Sequence, residues 1–158
     1  MFNAPQLRQD VIQPTLKPIQ LWSVDVEELL ILTCANETLG GTYLKQVGGC
    51  ALSIYQIEPA TLDDMWNNFL AKRSDLEYKI LQSLQYVRRP LDSCLVTNLA
   101  YATVMARVFY LRISDPIPSA TDIPALAAYY KKHFNTSLGA ATIDVTIANY
   151  HKFVITHI

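Results

Sequence analysis

This sequence has no excess of charge of either sign. Its 13 Lys and Arg face 14 Asp and Glu, for a formal net charge of −1. The pI is about 6.3. That balance leaves no basic footprint for nucleic acid and no polybasic stretch for a membrane surface. Long hydrophobic runs are also missing. Runs such as Leu29 to Leu32 are far too short to span a bilayer. No basic-then-apolar secretion signal opens the chain, because Asn3, Pro5, Gln6, Arg8 and Asp10 interrupt its start. Synthesis in the cytoplasm without export is therefore expected. Cys34, Cys50 and Cys94 cannot all pair within one chain and fit no zinc spacing, so they read as reduced core thiols. The histidines are His133, His151 and His157. They lack metal spacing and read as exposed or capping residues. Neither a metal nor a cofactor is expected.

What is present is apolar. Of 158 residues, 51% are hydrophobic, which suits one compact domain with a substantial core. A mean hydropathy of +0.14 implies a dense core or an exposed apolar patch. An amphipathic helix is predicted over Ala4 to Gln13, ended by Pro14, with Pro14 and Pro18 forming a short linker within residues 1–20. A second helix should start at Ser23, which can cap free N–H groups while Asp25, Glu27 and Glu28 complement the helix dipole. Its inner side is Leu29, Leu30, Leu32 and Ala35, and Gly40-Gly41 should stop it. Residues Thr42 to Ile57 read as a short hairpin or an irregular loop around Gly48-Gly49.

Thr61-Leu-Asp-Asp resembles a capping box opening a helix to about Leu70. Another helix is predicted from Asp75 to about Val87, ended by Pro90. Ser93 to Ile113 carries the strongest helical pattern, through Leu95, Leu99, Ala102, Ala106 and Phe109, and should be the central buried helix. Asp122 to Phe134 and Thr142 to Val154 close the chain. Lys72-Arg73 and Arg88-Arg89 read as basic partners of helix ends. The fold class is mostly α: a single helical domain with one small β-hairpin or loop insertion.

Nearly all the functional information lies between Glu37 and Thr61. Glu37 ends an apolar helix beside Gly40-Gly41. Partial burial and the negative helix end both favour the neutral carboxyl. A carboxylic acid that stays protonated near neutral pH can donate to the leaving oxygen of a glycosidic bond. The glycines would let a substrate approach the backbone. The plain alternative is a solvated residue at a helix end.

Glu37-Thr38 near Gly40-Gly41, followed by Ser53-Ile-Tyr-Gln-Ile-Glu-Pro-Ala-Thr61, resembles the soluble lytic transglycosylase domain of the lysozyme-like superfamily. That family has Glu-Ser followed by Gly-Leu-Met-Gln-Leu-Met-Pro-x-Thr. Glu37 falls on its catalytic glutamate, and Gln56, Pro59 and Thr61 match in place. Thr38 keeps the hydroxyl of the neighbouring serine, while Ser53 stands for Gly, Ile54 for Leu, Tyr55 for Met and Glu58 for the second Met. The small versions found in phage lysis and virion proteins have a variant matched by Gly48-Gly-Cys-Ala-Leu-Ser-Ile-Tyr-Gln-Ile-Glu-Pro59. They also have a later segment comparable to Tyr129-Tyr-Lys-Lys-His-Phe-Asn-Thr136. There Asn135 takes the place of the asparagine of the family's Ala-Tyr-Asn-Ala-Gly motif, and Phe134 replaces its tyrosine. Gly139-Ala-Ala lacks the basic residue expected after that glycine. The match is fairly specific over Ser23 to Thr61 and weaker from Leu95 to Tyr150.

The resemblance implies a lysozyme-like fold that cleaves the β-1,4 bond between N-acetylmuramic acid and N-acetylglucosamine in peptidoglycan. Glu37 would serve as general acid and base, with either hydrolysis or a 1,6-anhydro product. Glu58 is the nearest candidate for a second carboxylate, followed by Asp63 and Asp64. Gln56 would hold substrate or the glutamate, or else cap a turn. Tyr43 and Tyr55 would line a sugar groove or else pack. Tyr101 reads more as core than as site, although the family often places a tyrosine near the glutamate. A thiol enzyme built on Cys34 has no oriented histidine to support it. The implied partners are glycan strands, with a holin or virion components to bring the protein to periplasmic peptidoglycan. The alternative function is a non-catalytic virion or wall-binding module that keeps the fold.

Overall fold

The computed structural model describes residues 2–135 and 141–155. Thr136, Gly139, Ala140 and His157 of the sequence reading lie outside the described residues. The chain is mostly helical with almost no strand. Helix α1 covers residues 4–16. It has an α-helical start at Ala4–Gln6, a wide π segment at Leu7–Ile12 and an α-helical end at Gln13–Leu16. Pro14 was expected to end this helix and does not. The Gln13 N–H reaches back five residues to Arg8 O. This wider winding just ahead of Pro14 relaxes the usual clash of a proline ring with the preceding turn. The expected linker is therefore helix, followed by a turn at residues 17–20.

Helix α2, Val24–Thr38, begins where Ser23 accepts a hydrogen bond from Val26 N–H at 3.1 Å. Residues 26–35 are all buried, so this helix has no solvent face over that length. Glu27 and Glu28 do more than complement the dipole. Arg8 on α1 pairs with Glu27 at 3.3 Å and with Glu28 at 2.7 Å. Trp22 Nε1 donates to Glu27 at 2.7 Å, and Tyr150 Oη donates to Glu28 at 2.6 Å. This network ties α1 and the last helix to α2, and it satisfies charges that burial would otherwise penalise.

The end of α2 differs from the expected glycine stop. Leu39, at φ 50°, takes the left-handed capping position, and Gly40 N–H bonds Cys34 O at 3.1 Å. Gly41 has another task. A Cβ on it would come within 2.1 Å of the Phe2 ring, so this glycine makes room for the N-terminal segment rather than for a substrate.

Residues 42–57 form an irregular loop held by two isolated antiparallel bridges, Lys45 with Leu52 and Leu52 with Ile57. Helix α3 covers residues 59–72, passing from α-helix at Pro59–Asp64 through a π segment, Met65–Phe69, to a 3-10 end at Leu70–Lys72. It opens at Pro59, not through a Thr61 capping box. Proline at the first helical position needs no N–H partner, so the chain is already helical when it reaches Thr61. Helix α4, Ser74–Ser83, stops well before Pro90 because Gln85 turns left-handed at φ 60°.

The long helix expected from Ser93 is two helices, α5 (Cys94–Thr97) and α6 (Leu99–Leu111). Asn98 is extended, and its side chain accepts from Tyr101 N–H at 3.0 Å, which restarts the helix. Helix α7 covers residues 123–135. Asp122 caps its α-helical part, Ile123–Tyr130, and a wide π turn, Lys131–Asn135, ends it. Helix α8, Ile143–Ile155, is capped by Thr142 through Val145 N–H. It packs along α2, as does α7.

Candidate functional site

The end of α2, the 42–57 loop, the start of α3, α6 and the π turn of α7 surround a cleft of about 700 Å³. Glu37 lines it, together with Gln56, Glu58, Thr61 and Asn135 from the two motif segments. Phe109, His133 and Phe134 build the facing wall, while Gln46, Ala51 and Ile57 complete the loop side.

Glu37 sits on the last turn of the buried helix and is itself half-buried. Burial raises its carboxyl above the ordinary value, and a hydrogen bond donated by Tyr130 Oη to Oε1 partly offsets this. Tyr130 remains a donor, because burial and the adjacent carboxylate hold its hydroxyl far above its usual range. The Tyr130 ring stacks on Phe134 at 5.9 Å and 19°. Phe134 also packs at 4.6 Å from Phe109. Tyr130 thus places a hydroxyl on Glu37 from one helical turn before Phe134.

Two buried residues hold the motif segment against Glu37. Thr38 Oγ1 donates to Ile54 O at 2.9 Å and accepts Gly41 N–H at 2.9 Å. Ser53 is buried with φ 74°, a backbone region that favours glycine, and its Oγ accepts Tyr55 N–H at 3.1 Å. Gln56 is also left-handed, at φ 48°. Its amide Nε2 donates to Ser53 O at 2.8 Å, so it caps this turn while still facing the cleft. Glu58 is exposed at the cleft edge. Asn135 Oδ1 accepts from Lys131 Nζ at 2.9 Å.

Several expected site residues lie elsewhere. Thr38 is buried beneath the loop and has a positioning role. Tyr55 is fully buried, with Oη 3.2 Å from Thr103 Oγ1. Tyr101 is core as well, with Oη accepting from Trp66 Nε1 at 3.0 Å. Alternating or helical spacing does not say whether a tyrosine faces the cleft or the core. Tyr43 is exposed on the loop and does not line the cleft. Asp63 pairs with Arg89, and Asp64 with Arg112, both away from the cleft lining. Arg89 also pairs with Asp92, and the Arg73 guanidinium lies 3.8 Å over the Phe69 ring. These arginines therefore have side-chain partners beyond a helix dipole.

Cys34 is a buried thiol, pushed up to about 12 by burial, whereas Cys50 is exposed on the loop rather than in the core. Among the described residues, no cluster of His, Cys, Asp and Glu is arranged to hold a metal ion. Likewise, none of their helices is long and apolar enough to cross a membrane.

Sequence reasoning missed Tyr130, the buried partner of Glu37, and His133 in the cleft wall. Tyr130 lies 93 residues from Glu37 in sequence, so only its place one turn before Phe134 signalled a shared face. His133 was read as exposed or capping. It is instead half-buried in the cleft wall, because the wide turn brings residues 133–135 together onto the cleft. No family model, curated protein or solved structure matches this chain.

Proposed function

We propose that the protein cleaves peptidoglycan glycan strands at the β-1,4 bond after N-acetylmuramic acid, with Glu37 as general acid and then base. The observation that carries this reading is a half-buried carboxyl at the floor of an open cleft, raised by desolvation and touched by a permanent donor. The neutral acid donates its proton to the leaving oxygen, and Tyr130 then stabilises the carboxylate that forms. The resemblance of the 37–61 segment to lytic transglycosylases supports this chemistry. So does the left-handed backbone of Ser53, at the position where that family has glycine.

With Glu37 half-buried and Glu58 exposed at the cleft edge, the proposed course is attack by the sugar's own hydroxyl, giving an anhydro product, rather than by a water held on a second carboxylate. The fold is proposed to be lysozyme-like, and the setting phage lysis or wall penetration with a holin or virion components. The test is digestion of purified Gram-negative peptidoglycan, read by mass spectrometry, with Glu37→Gln alongside. Products lighter than hydrolysis products by one water, absent with Glu37→Gln, are expected. A folded wild type that releases nothing would leave a non-catalytic wall-binding module as the reading.

A further inference from the structure

His133 shares the cleft with Glu37, and its side chain is only 15% exposed. Its Nε2 lies 3.0 Å from Asp115 Oδ2. Lys132 and His133 both hold the Asp115 carboxyl below its ordinary value, so Asp115 is an ionised acceptor. Nε2 then carries a hydrogen toward Asp115, which leaves Nδ1 as the ring nitrogen that can meet a ligand. The Tyr129 ring packs 4.5 Å from the imidazole, and Tyr129 Oη donates to Asp115 O at 3.1 Å. Asp115 and Tyr129 together fix the plane of the ring.

Two other acceptors of the cleft are used within the protein: Gln46 Oε1 accepts from Ala51 N–H at 3.3 Å, and Asn135 Oδ1 from Lys131. Nδ1 of His133 has no hydrogen-bond partner among the described residues. An oriented ring nitrogen beside a carboxyl is suited to a neutral ligand rich in hydroxyl and amide groups, as a chain of N-acetylated sugars is. We propose that His133 is a substrate-binding residue whose Nδ1 hydrogen-bonds a hydroxyl or acetamido group of a glycan lying against Glu37. This inference rests on the glycan reading of the cleft.

Two amide substitutions separate binding from a structural role. His133→Asn places an amide oxygen near the position of Nδ1, whereas His133→Gln places an amide nitrogen near Nε2 and keeps the Asp115 contact. On peptidoglycan, His133→Gln should raise KM about 10-fold with kcat little changed, the effect of one lost hydrogen bond. His133→Asn should restore most of that loss. The reverse order, with Gln active and Asn impaired, would assign His133 a structural role through Asp115 and overturn the proposal. A second measurement does not need turnover: 15N NMR of the His133 ring during titration with chitotriose, in wild type and in Glu37→Gln. A shift of Nδ1 with ligand supports the proposal. Ligand binding or cleavage that leaves Nδ1 unmoved overturns it but keeps the glycan reading, whereas a folded protein that neither binds nor cleaves glycan overturns both.

Discussion

Replacing Tyr130 by Phe removes one hydroxyl and keeps the ring that stacks on Phe134. In the wild type two effects oppose each other at Glu37: burial raises the carboxyl, and the Tyr130 hydrogen bond lowers it. Hydrogen bonds to charged groups contribute about 1.5–3 kcal/mol net. Loss of that hydrogen bond leaves burial unopposed, so the Glu37 pKa should rise in Tyr130→Phe. The proton is then held more tightly and the carboxylate left after transfer has lost its donor, so the maximal rate should fall about 10- to 100-fold. At the same time the alkaline limb of the pH–rate profile should move upward. The direct assay is 13C NMR titration of the labelled Glu37 carboxyl in both proteins. An unchanged or lower pKa in Tyr130→Phe would refute the balance of burial against donation.

The raised Glu37 pKa also makes a stability prediction. Below the ordinary carboxyl value of 4.5 both folded and unfolded chains hold the proton, and burial of Glu37 costs little. As pH rises, the unfolded chain ionises first, so stability falls until pH passes the folded value. Glu37→Gln should therefore be more stable than wild type at neutral pH, with the difference closing below pH 4.5, as read by urea unfolding at several pH values. Arg8→Met should destabilise by about 3–5 kcal/mol, because it strands two buried carboxylates. A loss below about 1 kcal/mol in denaturant unfolding would remove the network from the account of stability. Thiol titration with a disulfide reagent at pH 8 should show Cys50 reacting fast and Cys34 only on unfolding, since burial holds the Cys34 thiol near 12. Cys50→Ser should abolish the fast phase.

Features fixed by neighbours in sequence were legible. Ser23, Asp122 and Thr142 each stand before a helix and each accepts from the N–H three residues on. Glu37 could be placed at a helix end because an apolar run leads into it. Features fixed by distant chain were not legible. Pro14 reads as a helix stop by any local rule, and only a change of winding lets the helix pass it. Asn98 sits inside an unbroken apolar pattern, yet its side chain finds a backbone N–H and divides the helix. Tyr55 and Tyr101 share composition with a sugar-binding aromatic, but their hydroxyls are met by Thr103 and Trp66 in the interior. Tyr130 is an unremarked member of a Tyr-Tyr pair until folding brings it to Glu37.

The burial of α2 on every side has a consequence for how this chain can change over time. Glu37 follows a stretch of helix, residues 26–35, that is buried on all sides, so its position in the cleft is difficult to alter by mutation elsewhere. The cleft walls are different material: an irregular loop held by two bridges, and a single wide turn. Substitutions there reshape the space around the carboxyl without moving the carboxyl itself. Such a division would let the shape of the cleft drift from one lineage to the next while the carboxyl stays where it was.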